Sequence, residues 1–165
     1  KILKIEGRGR SPEYTKVTVG VYSEAVKAIQ NGEFTEEKIA QWTERLRSVY
    51  NRDFWDGYYL GRKMGEWTQR YGSQATKTKI FVGTVTNFFA KINVAEIRME
   101  TQDLKVGDDI MIIGPTTGVY EDKVSEIRVD LKPVESTEKG ELCSIPVKDV
   151  IRRGDKVYKV IDAES

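Results

Sequence analysis

Apolar residues recur at two different periods along this chain, and the change of period divides it. From Ser11 to about Tyr50 the period is helical: Tyr14, Val17, Thr18, Val21, Tyr22, Ala25 and Ile29 fall on one face at i, i+3, i+4, i+7 spacing. Ser11 suits an N-cap and Pro12 the first helical position, where its missing N–H costs nothing, and Asn31-Gly32 supplies the stop. A second helix is predicted from Thr35 as N-cap, with Glu36 and Glu37 in the electropositive first turn and Phe34 placed to pack onto Ile39. Its apolar side is Ile39, Trp42, Leu46, Val49 and Tyr50. The short connection predicts an antiparallel helical hairpin.

Past Lys79 the texture changes to short strands separated by turns with no helix between them. The segments are Ile80 to Phe89, Ile92 to Glu100, Asp109 to Ile113, Val119 to Tyr120, Val124 to Asp130, Leu142 to Val147 and Lys156 to Ile161. The expected fold is therefore mainly β with an N-terminal α segment: a helical hairpin followed by a small closed antiparallel β-barrel. Residues 62 to 78 are polar and read as a linker with at most a short helix around Glu66 to Arg70. That places domains at 1–77 and 78–165. Lys1 to Glu6 alternates like a half-buried strand, then breaks at Gly7-Arg8-Gly9-Arg10. Its natural partners are absent from the next seventy residues, so the chain is expected to be a fragment whose main chemistry lies upstream.

Within the β half one pattern occurs twice. Leu104-Lys105-Val106-Gly107-Asp108-Asp109-Ile110 and Ile151-Arg152-Arg153-Gly154-Asp155-Lys156-Val157 share apolar-x-x-Gly-Asp-x-apolar, which reads as a tight turn entering a strand. Gly114-Pro115-Thr116-Thr117-Gly118 lacks the Lys-Ser/Thr and the helix of a phosphate loop, and a turn suffices for it.

Composition removes most catalytic arrangements. There is no histidine and one cysteine, Cys143, so neither a serine-histidine nor a cysteine-histidine pair can be built. A multi-cysteine metal site and an intrachain disulfide are excluded too, and Cys143 reads as strand filler. No metal site and no enzymatic activity are expected of the isolated chain. No apolar run approaches the roughly 20 residues that cross a bilayer, and cytoplasm is the default location. The net charge of +1 hides an asymmetry: residues 1–77 carry 14 Lys/Arg against 10 Asp/Glu, and residues 78–165 carry 13 against 16. Nucleic-acid contact should thus come from the first half or from a local cluster such as Arg152-Arg153.

Tyr50 to Gly61 holds five aromatic residues. Two readings stay open: a hydrophobic plug against a neighbouring domain, or a platform on which Trp55 and Tyr58 stack unpaired bases while Arg52 meets a phosphate.

The β half resembles the second domain of translational GTPases in the order Val82-Gly83-Thr84-Val85, the turn from Leu104 to Ile110, Gly140-Glu141-Leu142, and Arg153-Gly154-Asp155-Lys156-Val157. The whole chain resembles the C-terminal region of the collagenase-like peptidase U32 family. Three stretches carry this: Lys4-Ile5-Glu6-Gly7-Arg8 followed by Ser11-Pro12-Glu13-Tyr14; Asn51-Arg52 with Phe54, Gly57, Tyr58 and Leu60-Gly61; and Gly107-Asp108 with Gly114-Pro115-Thr116-Thr117-Gly118. Asp53-Phe54-Trp55-Asp56 departs from the small residues that many relatives carry there.

The resemblance implies a (β/α)₈-type catalytic barrel upstream, with residues 1 to 8 as its last strand and Glu6 and Arg8 as the only positions with a catalytic or substrate claim. It also implies a choice of chemistry. Family members are commonly labelled proteases, while others hydroxylate RNA bases or a quinone precursor with an iron-sulfur cluster held by the upstream domain. The chain is thus expected to be a non-catalytic accessory domain that positions tRNA or rRNA. The alternative is the substrate-binding domain of a collagenase-like peptidase. Substrate contact is expected at Arg52, Trp55, Tyr58, Arg152 and Arg153.

Overall fold

A computed structural model describes residues 2–49 and 75–163. The chain divides into two compact units, Lys1–Lys77 and Thr78–Glu164.

In the first unit α1 (Pro12–Gln30) and α2 (Glu36–Arg47) pair as an antiparallel hairpin. Thr35 caps α2, its hydroxyl accepting the Lys38 N–H at 3.4 Å, whereas the Ser11 side chain makes no capping bond to α1. The buried seam is Thr18, Val21, Ala28 and Trp42, with Val17, Ala25, Ile39 and Leu46 packed beside it. This face is rotated from the predicted one: Tyr22 and Ile29 stay exposed and Ala28 is buried instead. The cause lies on α2, where the Trp42 indole N–H (3.1 Å) and the Arg45 guanidinium (2.5 and 3.0 Å) both donate to Glu24, pulling the Glu24–Ala28 side of α1 against it. Phe34 lies against Trp42, ring centroids 5.7 Å apart.

The predicted strand at Lys1 to Glu6 is not formed among the described residues. Ile2 is 96% exposed, and the chain bends at Gly7, whose carbonyl accepts the Arg10 N–H at 3.0 Å. A strand is stable only when another strand satisfies its backbone, and none pairs with it among the described residues.

The second unit is one eight-stranded sheet. Its strands are β1 (Lys77–Phe89), β2 (Val94–Met99), β3 (Asp109–Gly114), β4 (Gly118–Lys123), β5 (Ile127–Val129), β6 (Lys132–Val134), β7 (Leu142–Pro146) and β8 (Lys156–Asp162), ordered β4-β3-β8-β1-β2-β7-β5-β6. The described ladders are antiparallel. Val82, Val85, Ile97, Ile112, Ile145 and Val157 meet in one buried core, each such side chain contributing about 1.5–3 kcal/mol of transfer free energy. Cys143 is part of that core.

The sheet is open where a closed barrel was expected. β4 and β6 are its two edges, and the gap between them is laced by the segment before β3. Lys105 bridges Ser136, the Val106 N–H donates to the Glu135 carbonyl at 3.0 Å, and the Gly107 N–H donates to the Val124 carbonyl at 2.8 Å. Thr137, buried at the same place, accepts the Leu104 N–H through its hydroxyl at 2.9 Å. β6 has three residues and one of them is Pro133, which has no N–H to give a ladder. The same proline hid β6 in the sequence. The β5–β6 hairpin turns on Asp130 (φ 49°) and Leu131 (φ 66°), a two-residue turn with both central residues in the left-handed region.

Candidate functional site

The two Gly-Asp turns have the same internal bonding. In the first, Asp108 accepts the Lys105 N–H on its carboxylate at 2.8 Å and donates its own N–H to the Lys105 carbonyl at 3.1 Å; in the second, Asp155 does the same with Arg152 at 2.9 and 3.1 Å. Gly107 (φ 93°) and Gly154 (φ 92°) take the positive φ that the turn requires. Each Gly then donates to a neighbouring segment, Gly107 to the Val124 carbonyl just past β4 and Gly154 to the Val85 carbonyl of β1, both at 2.8 Å. The repeat is thus one structural device used twice, and the carboxylates serve the backbone.

The copies differ in what else their carboxylate holds. Asp108 forms an ion pair with Lys159 at 2.7 Å. Asp155 is only 2% exposed and reaches across to the Gly114–Gly118 turn between β3 and β4, where the Thr117 hydroxyl donates to it at 2.5 Å. Gly114 leaves room for this: a side-chain carbon there would collide with the Asp155 carboxylate. Above the buried pair the Arg152 guanidinium donates to the Thr117 hydroxyl at 3.4 Å. The result is a rigid turn that presents Arg152 and Arg153, both exposed and neither ion-paired among the described residues. Two cations on a braced turn can receive a phosphate or a carboxylate.

Of the remaining predicted residues, Glu6 and Arg8 belong to the first unit and the others lie outside the described residues. Glu6 and Arg8 are exposed beside each other, the Glu6 carboxylate accepting the Arg8 N–H at 3.0 Å. Arg52, Trp55 and Tyr58 lie outside the described residues. No local pattern marks Thr117, because its partner, Asp155, is 38 residues away. The signal was the pair of short motifs themselves, each too short to announce contact with the other.

No acid–base pair is set up for chemistry among the described residues. Tyr120 is pushed up to about 12, chiefly by burial and then by its hydrogen bond to Asp122 (2.7 Å), so its phenol stays neutral. Asp122 is held below the usual carboxylate range, first by its bond from Lys148 and then by Tyr120. Together they fasten β4 to the segment after β7. Burial pushes the Cys143 thiol up to about 12, which makes it a poor metal ligand and nucleophile. With no second cysteine and no histidine in the chain, these residues do not fit an iron-sulfur cluster.

A helical hairpin followed by an open antiparallel sheet defines the class of protein. The profile of Peptidase family U32 matches residues 1–69. The chain is 51% identical over 159 residues to a protein of Porphyromonas gingivalis named collagenase, covering 96% of this chain and 38% of that protein. It is 32% identical over 116 residues to tRNA hydroxylation protein P1 of Bacillus subtilis, covering 68% of this chain and 26% of that protein. A solved C-terminal domain from Geobacillus thermoleovorans, described as belonging to a U32 peptidase, matches 48% of this chain and 90% of that domain with a TM-score of 0.46 and 15% identity. The chain belongs to peptidase family U32, and it spans about two fifths of the collagenase it matches.

Proposed function

We propose that this chain is a non-catalytic accessory part of a U32-family protein, and that its sheet unit positions RNA, tRNA or rRNA, for base hydroxylation carried out elsewhere in the protein. The observation that carries this is the braced Arg152-Arg153 turn, whose two guanidiniums, neither in an ion pair among the described residues, suit backbone phosphates. The similarity to a tRNA hydroxylation protein and the turn order resembling the second domain of translational GTPases support the same reading. An iron-sulfur cluster, where present, would draw its ligands from outside this chain. Glu6 and Arg8 then stand at the end of a preceding catalytic barrel, and the cytoplasm is the compartment that suits an RNA substrate.

A second reading is the substrate-binding domain of a collagenase-like peptidase, favoured by the 51% identity to a protein so named. Fluorescence anisotropy with a labelled tRNA transcript, and separately with labelled gelatin, decides between them. Two phosphate contacts predict RNA binding that weakens about tenfold between 50 and 200 mM salt, with most of that dependence lost in Arg152→Ala/Arg153→Ala. Gelatin binding with no RNA binding would replace the first reading by the second.

A further inference from the structure

We infer that the face shared by β1 and β8 is a contact site for single-stranded RNA, continuous with the Arg152-Arg153 turn. This rests on the RNA reading above and adds a site to it. Each strand contributes one ring and one ammonium, and the pairs cross. Lys79 Nζ of β1 stands 5.0 Å from the centre of the Tyr158 ring of β8, and Lys156 Nζ of β8 stands 5.5 Å from the centre of the Phe81 ring of β1. The two rings meet edge to face at 5.7 Å and 65°.

Both rings are half-exposed, and Lys156 is exposed. Lys156 spends one donor on the Thr84 hydroxyl at 2.9 Å and has no carboxylate partner among the described residues, which leaves N–H groups for an incoming anion. The residues that face it and its Thr84 partner across the neighbouring strands are not acidic. Across the β8–β3 ladder Lys156 faces Ile113 and Tyr158 faces Met111, while across the β1–β2 ladder Thr84 faces the exposed Arg98. The nearest β3 carboxylate, Asp109, sits opposite Val160 and is already paired with Lys123 at 2.9 Å. Lys156 follows Arg153 by three residues, so positive charge runs from the turn onto the sheet.

Positive charge selects a polyanion, and the rings select one with accessible bases. Bases inside a duplex are stacked on each other, so aromatic side chains on a sheet can engage them only in single-stranded segments. Lysine takes the phosphate as a point charge, and Phe81 and Tyr158 supply sequence-tolerant stacking.

The test uses the full chain with a fluorescein-labelled single-stranded RNA 12-mer and the blunt duplex of the same sequence. Phe81→Leu and Tyr158→Leu keep apolar volume, and circular dichroism confirms that each folds. The expected result is a loss of about tenfold in single-strand affinity for each ring variant, with the salt slope unchanged and duplex binding unmoved. Lys156→Ala should lower the salt slope by about one. Folded ring variants that bind the single strand like the parent, while Arg152→Ala/Arg153→Ala loses it, would overturn this site and leave the RNA reading standing. Equal weakening of duplex and single strand by the ring variants would also overturn it. A parent chain that binds neither RNA ends both.

Discussion

Leu131 shows most plainly a residue at odds with its backbone. It sits with φ 66° and is 86% exposed in the two-residue turn from β5 to β6, beside Asp130 at φ 49°. A leucine in the left-handed region costs roughly 1–2 kcal/mol through its Cβ, and exposure returns nothing by burial. Leu131→Gly is therefore expected to raise stability by about 1 kcal/mol, after allowing for the larger entropy glycine brings to the unfolded chain. A denaturant titration checks it: an unchanged or lower midpoint would mean that the leucine is held by contacts outside the turn. The opposite case is Gly114, whose missing side chain is what lets Asp155 reach Thr117.

At the scale of elements, the hairpin of α1 and α2 is joined by Glu24, which takes bonds from both Trp42 and Arg45. Its carboxyl is held below the usual range, first by the hydrogen bond from Arg45, which burial opposes and to which the Trp42 bond adds a smaller effect. The sign follows: a depressed folded pKa contributes stability above the ordinary carboxylate range and loses it as pH falls through the folded value. Both partners are about half exposed, so screening limits the gain to less than about 1 kcal/mol. Glu24→Gln is expected to flatten the acid limb of helix content below about pH 4 while lowering stability slightly at neutral pH, read by far-ultraviolet circular dichroism. An acid limb identical to the parent's would assign the loss to other carboxylates. In the sheet, the two Gly-Asp turns play the comparable part, each tying a strand entrance to a neighbouring segment through the same four bonds, the fourth being the N–H of Val124 or Val85 donated to the Asp carbonyl at 2.9 Å.

For the molecule as a whole, the core of the sheet unit is drawn entirely from residues 82 to 157, all within Thr78–Glu164. Residues 78–165 produced alone should then unfold cooperatively, at a temperature within a few degrees of the sheet transition in the whole chain. Calorimetry checks this, and a non-cooperative melt would show that the sheet depends on residues before Thr78. The sequence by itself determined the two textures, both helices with the Thr35 cap, seven of the strands, and the turns at Gly107 and Gly154, because each rests on local periodicity or on backbone demands met within a few residues. Only the tertiary structure decided that the sheet stays open, that α1 turns its Glu24 side to α2, and that Lys1 to Glu6 finds no ladder here. It alone brought Thr117 to Asp155, and Lys79 and Phe81 to Tyr158 and Lys156. The Lys-x-Phe and Lys-x-Tyr spacings of β1 and β8 were present in the chain as alternation, but which strands become neighbours depends on contacts across more than seventy residues, and no local pattern encodes that pairing.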